Sequence, residues 1–241
     1  MTSPWWYRGR TYVFAAIYFG GFFFGALVSV ALHGRYIPAV VELGNRLGPN
    51  GRIALFALAA LCAAICYVLR VWGSSYLRAG IVWNADARSD TLLIAGPFRY
   101  VRNPLYLGNT FLAVAAGLMA PVAGCVFIII ANVVFVIALG RHEEVILERT
   151  YGERFRAYAA QVPSLVPRLT PVAAQGDVKP SLVQGLLSEV FTGAILLGII
   201  LAVVDQRRGG LDFFVLYVGG IIAQRMIARA QRPPVQAGTS P

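Results

Sequence analysis

An all-α, polytopic integral membrane bundle is the fold this sequence predicts, because composition, apolar run lengths and the placing of the arginines agree on it. Of 241 residues, 58% are hydrophobic and 13% charged, against roughly 25% charged in an average soluble domain, and the mean hydropathy is +0.66. A water-soluble fold has no interior large enough to hide that much apolar surface. A window of about 19 residues, matched to a hydrocarbon core near 30 Å thick, finds spans at 12–32, 53–72, 182–204 and 211–228. The apolar run 105–139 is too long for one crossing, and Ala120, Pro121 and Gly124 interrupt it. That is a hairpin signal. Two shorter helices at 106–119 and 122–139 then bring the count to about six.

The first span is followed by no small-residue cleavage site, so it reads as a retained helix. Six crossings put both termini, 73–104 and 141–181 on one side, together with most of the 21 Lys and Arg residues. Cytoplasmic loops carry such an excess, so that side is expected to be cytosolic. The net charge of +10 is explained by topology and by anionic lipid headgroups, without nucleic acid. Cys62, Cys66 and Cys125 lie inside spans and read as small buried hydrophobes. No His or carboxylate shares the span of Cys62 and Cys66 to complete a metal site. His33, at the end of the first span, suits an interfacial or capping role. No span carries a charge at mid-depth of the kind that marks an ion path, which speaks against a transporter. Asn132 is expected to hydrogen-bond a neighbouring helix.

Two polar segments remain, and any chemistry belongs to them. In the first, Gly96-Pro97 marks a turn, and the residue before Pro104 is biased out of the helical region, so Asn103 ends an extended stretch where a membrane helix begins. The free N–H groups of that helix start suit a carboxylate or another anion. The second segment opens with Arg141-His-Glu-Glu144, one turn beyond an apolar run, where unpaired carboxylates are expensive. Glu144 and Glu148 are like charges at i, i+4 and call for a cation beside them. Neutralisation by nearby arginines and a functional role are both open on the bare pattern.

The string Gly96-Pro-Phe-Arg-Tyr-Val-Arg-Asn-Pro-Leu-Tyr-Leu-Gly108, a helical hairpin, Glu143-Glu144, Tyr151-Gly-Glu-Arg-Phe-Arg-Ala-Tyr158 and a Val-Pro-x-x-Val-Pro ending together resemble the isoprenylcysteine carboxyl methyltransferase and phospholipid methyltransferase family, over 82–168. The resemblance implies a membrane enzyme that uses S-adenosylmethionine and methylates a lipid-borne or apolar acceptor, a carboxylate, thiol or amine. It assigns the cofactor to Asp90, Thr91, Leu92 and Leu93, to Phe98, to Asn103, Pro104, Leu105 and Tyr106, and to Glu143, with Trp83 as a further contact. A helix start suits the cofactor carboxylate and Glu143 its ammonium, and Phe98 or Tyr106 an adenine face or the sulfonium. Arg102 or Arg141 is expected to position an anionic acceptor, and Glu143 or Glu144 to serve the cofactor. The family reads Arg-His-Pro where this chain has Arg102-Asn103-Pro104. Asparagine hydrogen-bonds but carries no proton near neutral pH, so Asn103 tests whether that position handles one.

A membrane reductase of sterol-reductase-like architecture using NADPH, and a non-enzymatic membrane scaffold, are the alternatives. By organisation, 1–170 forms the methyltransferase-like unit, 171–231 an appended helical hairpin of the same bundle and 232–241 a disordered tail. Glycines in the hairpin, Gly193, Gly198, Gly219 and Gly220, would allow close helix approach. That hairpin packs on the unit, forms a homodimer contact or lines an acceptor entrance.

Overall fold

The computed structural model describes residues 4–77, 92–174, 178–204 and 209–230, without the side chains of 209–214. The helices are α1 (Trp5–Arg8), α2 (Arg10–His33), α3 (Ala39–Arg46), α4 (Gly51–Tyr76), α5 (Pro104–Met119), α6 (Val122–Tyr151), α7 (Glu153–Gln161), α8 (Leu182–Ser188), α9 (Val190–Val204) and α10 (Gly209–Ala230), with a 3-10 turn at Gly96–Arg99. No strand occurs among the described residues. The tail 232–241 and the joints 175–177 and 205–208 lie outside them.

Local chemistry sets the ends of these helices. Pro104 and Pro121 stand at helix entries, where a missing N–H costs nothing; Pro104 is the first residue of α5 and Pro121 caps α6. Gly34 ends α2 in the left-handed region and returns its N–H to the Val30 carbonyl at 2.8 Å. Ala120 and Pro121 make the expected hairpin turn, but Gly124 lies inside α6. There it meets Gly21 and Gly25 of α2 so closely that a Cβ on Gly124 would collide with the Gly21 carbonyl. Small residues let membrane helices approach backbone to backbone, and the core repeats the device with Ala59, Ala63, Ala113 and Ala116. Asn132 donates to the Tyr18 hydroxyl at 3.1 Å, the interhelical bond expected of it.

The outside is as apolar as the inside. No more than a third of the apolar windows of α2, α4 and α6 is buried, and Phe19, Leu61, Val68, Ile130 and Val134 are each more than half exposed. Such a belt is stable against lipid and not against water. Among the described residues, three helices are long and apolar enough to cross a membrane, or four when α8 and α9 count as one span. Of the other two expected spans, 106–119 is α5, a shorter apolar helix of 16 residues, and 211–228 lies within α10; neither is among those helices. With 30 residues, α6 is about 45 Å long, so its apolar part to Leu139 fills the hydrocarbon and 141–151 projects beyond it.

Two expectations are corrected. The span at 182–204 is broken at Glu189, where α8 and α9 diverge by 68°. Deep charge is also present in the spans. Arg70 of α4 and Glu189 are 7% and 1% exposed and form a two-pronged pair at 2.6 and 3.0 Å. Asn109, Ser74 and Thr192 fill their remaining valences. The break has its cause here, since the chain turns at Glu189 to bring the carboxylate to Arg70, and charges are buried only when paired.

Candidate functional site

One end of the bundle gathers both polar segments. The prolines of Val162-Pro-Ser-Leu-Val-Pro167 keep that stretch out of a helix and leave its carbonyls open. It lies along 99–103: Arg102 and Asn103 donate backbone N–H bonds to Pro163 and Ser164 at 2.9 and 3.1 Å, and Arg168 donates to Tyr100 at 2.9 Å. Beneath it Leu92, Ile94, Phe155, Tyr158 and Val162 form a small apolar core. Gly152, with φ of 54°, supplies the left-handed break that folds α7 back from α6. The Tyr158 hydroxyl donates to the Phe98 carbonyl at 2.7 Å, and burial raises its phenol above the ordinary value.

Glu143 and Glu144, about 100° apart around α6, face different partners. Glu144 accepts from Arg102 Nε and Nη2, both at 3.0 Å, from Asn103 Nδ2 at 3.1 Å and from Ser164 Oγ at 2.8 Å. Arg102 Nη1 reaches the Ala159 and Val162 carbonyls, so every guanidinium nitrogen is engaged. Burial opposes ionisation of Glu144, but the bonds from Arg102 and Ser164 outweigh it and hold its carboxyl below the usual range. The cation expected beside Glu144 is thus Arg102; Glu148 is met by Arg156 at 2.7 Å.

Glu143 turns toward α5 and the amino-terminal helices. It accepts from the Tyr106 hydroxyl at 2.6 Å and from Tyr7 at 3.3 Å. Burial pushes its carboxyl up, against the hydrogen bond from Tyr106 and the charge of Arg10. The His142 ring lies 5.2 Å from Trp6 and 4.6 Å from Tyr7.

The structure therefore brings together Arg102, Asn103 and Glu144, and separately Tyr106 and Glu143. Pro104 is buried at the start of α5 and Leu105 lies against Gly73 of α4. Phe98 and Leu93 are half-buried, and Leu92 belongs to the small core. Arg141 is exposed and lines an open groove of about 520 Å3 with Glu144, Glu148, Phe155 and Arg156. Trp83, Asp90 and Thr91 lie outside the described residues. Sequence reasoning missed Trp6, Tyr7 and Arg10, which reach Glu143 and His142 from the far end of the chain and carry no motif. It also passed over Ser164, whose only signal was its place between two prolines.

An all-α membrane bundle with two carboxylates held at one end defines the class as an integral membrane protein with a polar site at the bilayer boundary. Residues 54–154, a little under half of the chain, match the model of the phospholipid methyltransferase family, one of the two families the motifs resemble. The match runs from α4 to the start of α7 and so contains Arg102, Asn103, Tyr106, Glu143 and Glu144. No curated protein and no solved structure matches the chain.

Proposed function

We propose that the protein transfers a methyl group from S-adenosylmethionine to a lipid-borne or apolar acceptor at the cytosolic face of the membrane. The observation that carries this reading is the convergence of Tyr106 and Glu143, 2.6 Å apart, at the start of α5 inside the segment that matches a methyltransferase family. The residues present suit such a donor: a half-buried carboxylate for an ammonium, and aromatic side chains for a sulfonium or adenine. When bound, S-adenosylmethionine supplies a methyl carbon activated by the adjoining sulfonium. The chain contributes alignment and exclusion of water.

Arg102 and Glu144 act in this reading as positioning residues, pinning the 96–103 loop, α7 and the proline strap to α6. Asn103 serves as a fixed donor to Glu144 and Ser164. That role needs no proton transfer, so asparagine fills a position where the family has histidine. Arg141, exposed beside the groove, meets anionic headgroups or an anionic acceptor arriving through the bilayer. The arginine excess supports a cytosolic orientation of this end.

The test is methyl transfer from labelled S-adenosylmethionine to membrane lipid extracts, together with S-adenosylhomocysteine binding by wild type and Glu143→Gln in detergent. Label should enter the lipid fraction, and the variant should bind at least about tenfold more weakly, as loss of a charge-assisted hydrogen bond predicts. No incorporation together with no binding by wild type sinks the enzyme.

A further inference from the structure

The cluster around Glu143 contains two basic side chains that the methyl-transfer reading does not use. Arg10, at the start of α2, holds its guanidinium carbon 5.2 Å from the centre of the Tyr7 ring. His142 holds its own ring 4.6 Å from the same centre. The Tyr7 hydroxyl reaches Glu143 Oε1, so the two basic groups and the carboxylate surround one tyrosine. Both basic groups favour the ionised form of Glu143.

Arg10 Nη1 and His142 Nε2 are buried and have no hydrogen-bond partner among the described residues. An arginine nitrogen is a donor in every protonation state met in proteins, and a buried donor left without an acceptor is costly and rare. Glu143 Oε1 is already taken by Tyr106 and Tyr7. The missing partner is therefore an acceptor oxygen, of anionic character to suit Arg10, next to a carboxylate that suits a cation.

We propose that Arg10 and His142, with Glu143 beside them, form a zwitterion-binding site, the basic pair receiving an anionic oxygen and Glu143 the adjoining ammonium group. His142 donates to that oxygen whenever its Nε2 carries a proton. Two molecules carry that chemistry: the amino-acid end of the methyl donor, in which case the site rests on the methyl-transfer reading, and the phosphate and ammonium of an ethanolamine-type lipid headgroup, in which case it does not.

The experiment uses the full chain in detergent with three probes: S-adenosylhomocysteine, 5′-methylthioadenosine, which lacks the amino-acid end, and phosphatidylethanolamine compared with phosphatidylglycerol. Arg10→Gln and His142→Gln are each expected to bind S-adenosylhomocysteine about tenfold or more weakly and methylthioadenosine as wild type does, which assigns the site to the donor. If S-adenosylhomocysteine binding is unchanged but the variants lose a thermal stabilisation that phosphatidylethanolamine gives over phosphatidylglycerol, the site stands and belongs to the lipid. If neither variant alters either response, the proposal is overturned. Wild type that binds no S-adenosylhomocysteine removes the methyl-transfer reading and leaves the lipid comparison to decide. Arg10→Lys keeps the charge and guards against a folding defect: it should recover part of the binding that Arg10→Gln loses, and a well-folded Arg10→Lys that recovers none overturns the role of Arg10 as a cation.

Discussion

Glu143 and Glu144 are neighbours in sequence with opposite electrostatic fates, and their partners decide the difference. The fork of Arg102 and the Ser164 hydroxyl stabilise the Glu144 carboxylate, so its ionised form is favoured in the folded chain. That contribution is present above the unfolded carboxyl value, ~4.3, and is lost as pH falls through the depressed folded value. Arg102→Met should cost about 1–3 kcal/mol near neutral pH, read as a lowered unfolding midpoint, and the deficit should narrow in acid; a deficit independent of pH would show that the pair contributes nothing. Glu143 has the other sign. Its raised carboxyl binds protons more tightly folded than unfolded, so its ionisation weakens the fold as pH rises past ~4.3. Glu143→Gln is therefore expected to melt no lower than wild type at pH 8 while losing donor affinity, the pattern of a residue kept for function at a cost in stability. A large drop in melting temperature would mark it as structural instead.

At the scale of elements, the α2–α6 contact depends on the absence of side chains. Gly21, Gly25 and Gly124 bring two backbones together, and a branched residue at position 124 has no room without parting the helices. Gly124→Val should destabilise by about 1–3 kcal/mol or more, measured by thermal unfolding in detergent. The exposed Val134→Leu on the same helix should be near neutral. Equal effects of the two would mean that the contact carries little energy. The turn and the Pro104 helix start were legible from proline and glycine chemistry, which acts within a few residues; Asn103 leaves the helical region as expected, but with ψ of 63° it is not extended. Gly124 reads in the sequence as part of the break signal, although the expected helix 122–139 contains it; its role comes from Gly21 on another helix.

Across the whole molecule, the buried pair of Arg70 and Glu189 joins the methyltransferase-like segment to the carboxy-terminal helices. Removing either partner strands the other in an apolar interior, a loss of about 3–5 kcal/mol. Glu189→Gln and Arg70→Met are each expected to show it as reduced thermal stability, and the double variant Arg70→Met, Glu189→Met should recover much of the loss. For the same reason a chain ending at residue 170 should be poorly folded, and Arg70→Met should improve it. A stable truncated chain that Arg70→Met does not alter would mark 171–231 as separable from the rest of the bundle.

The membrane, the all-helical bundle, the α5–α6 hairpin and the two polar segments followed from sequence alone, because hydropathy and proline placement act over a turn or a span and need no knowledge of neighbours. The resemblance to a methyltransferase family, carried by motifs, pointed to Arg102, Asn103, Tyr106, Glu143 and Glu144, all within one matched segment. Tertiary structure alone decided which partner each carboxylate takes, since one helical residue turns the side chain by about 100° and so chooses between Arg102 and Tyr106. It also brought Tyr7 and Arg10 to Glu143, and broke a continuous apolar run at Glu189 because a buried charge must find its opposite wherever in the chain that lies.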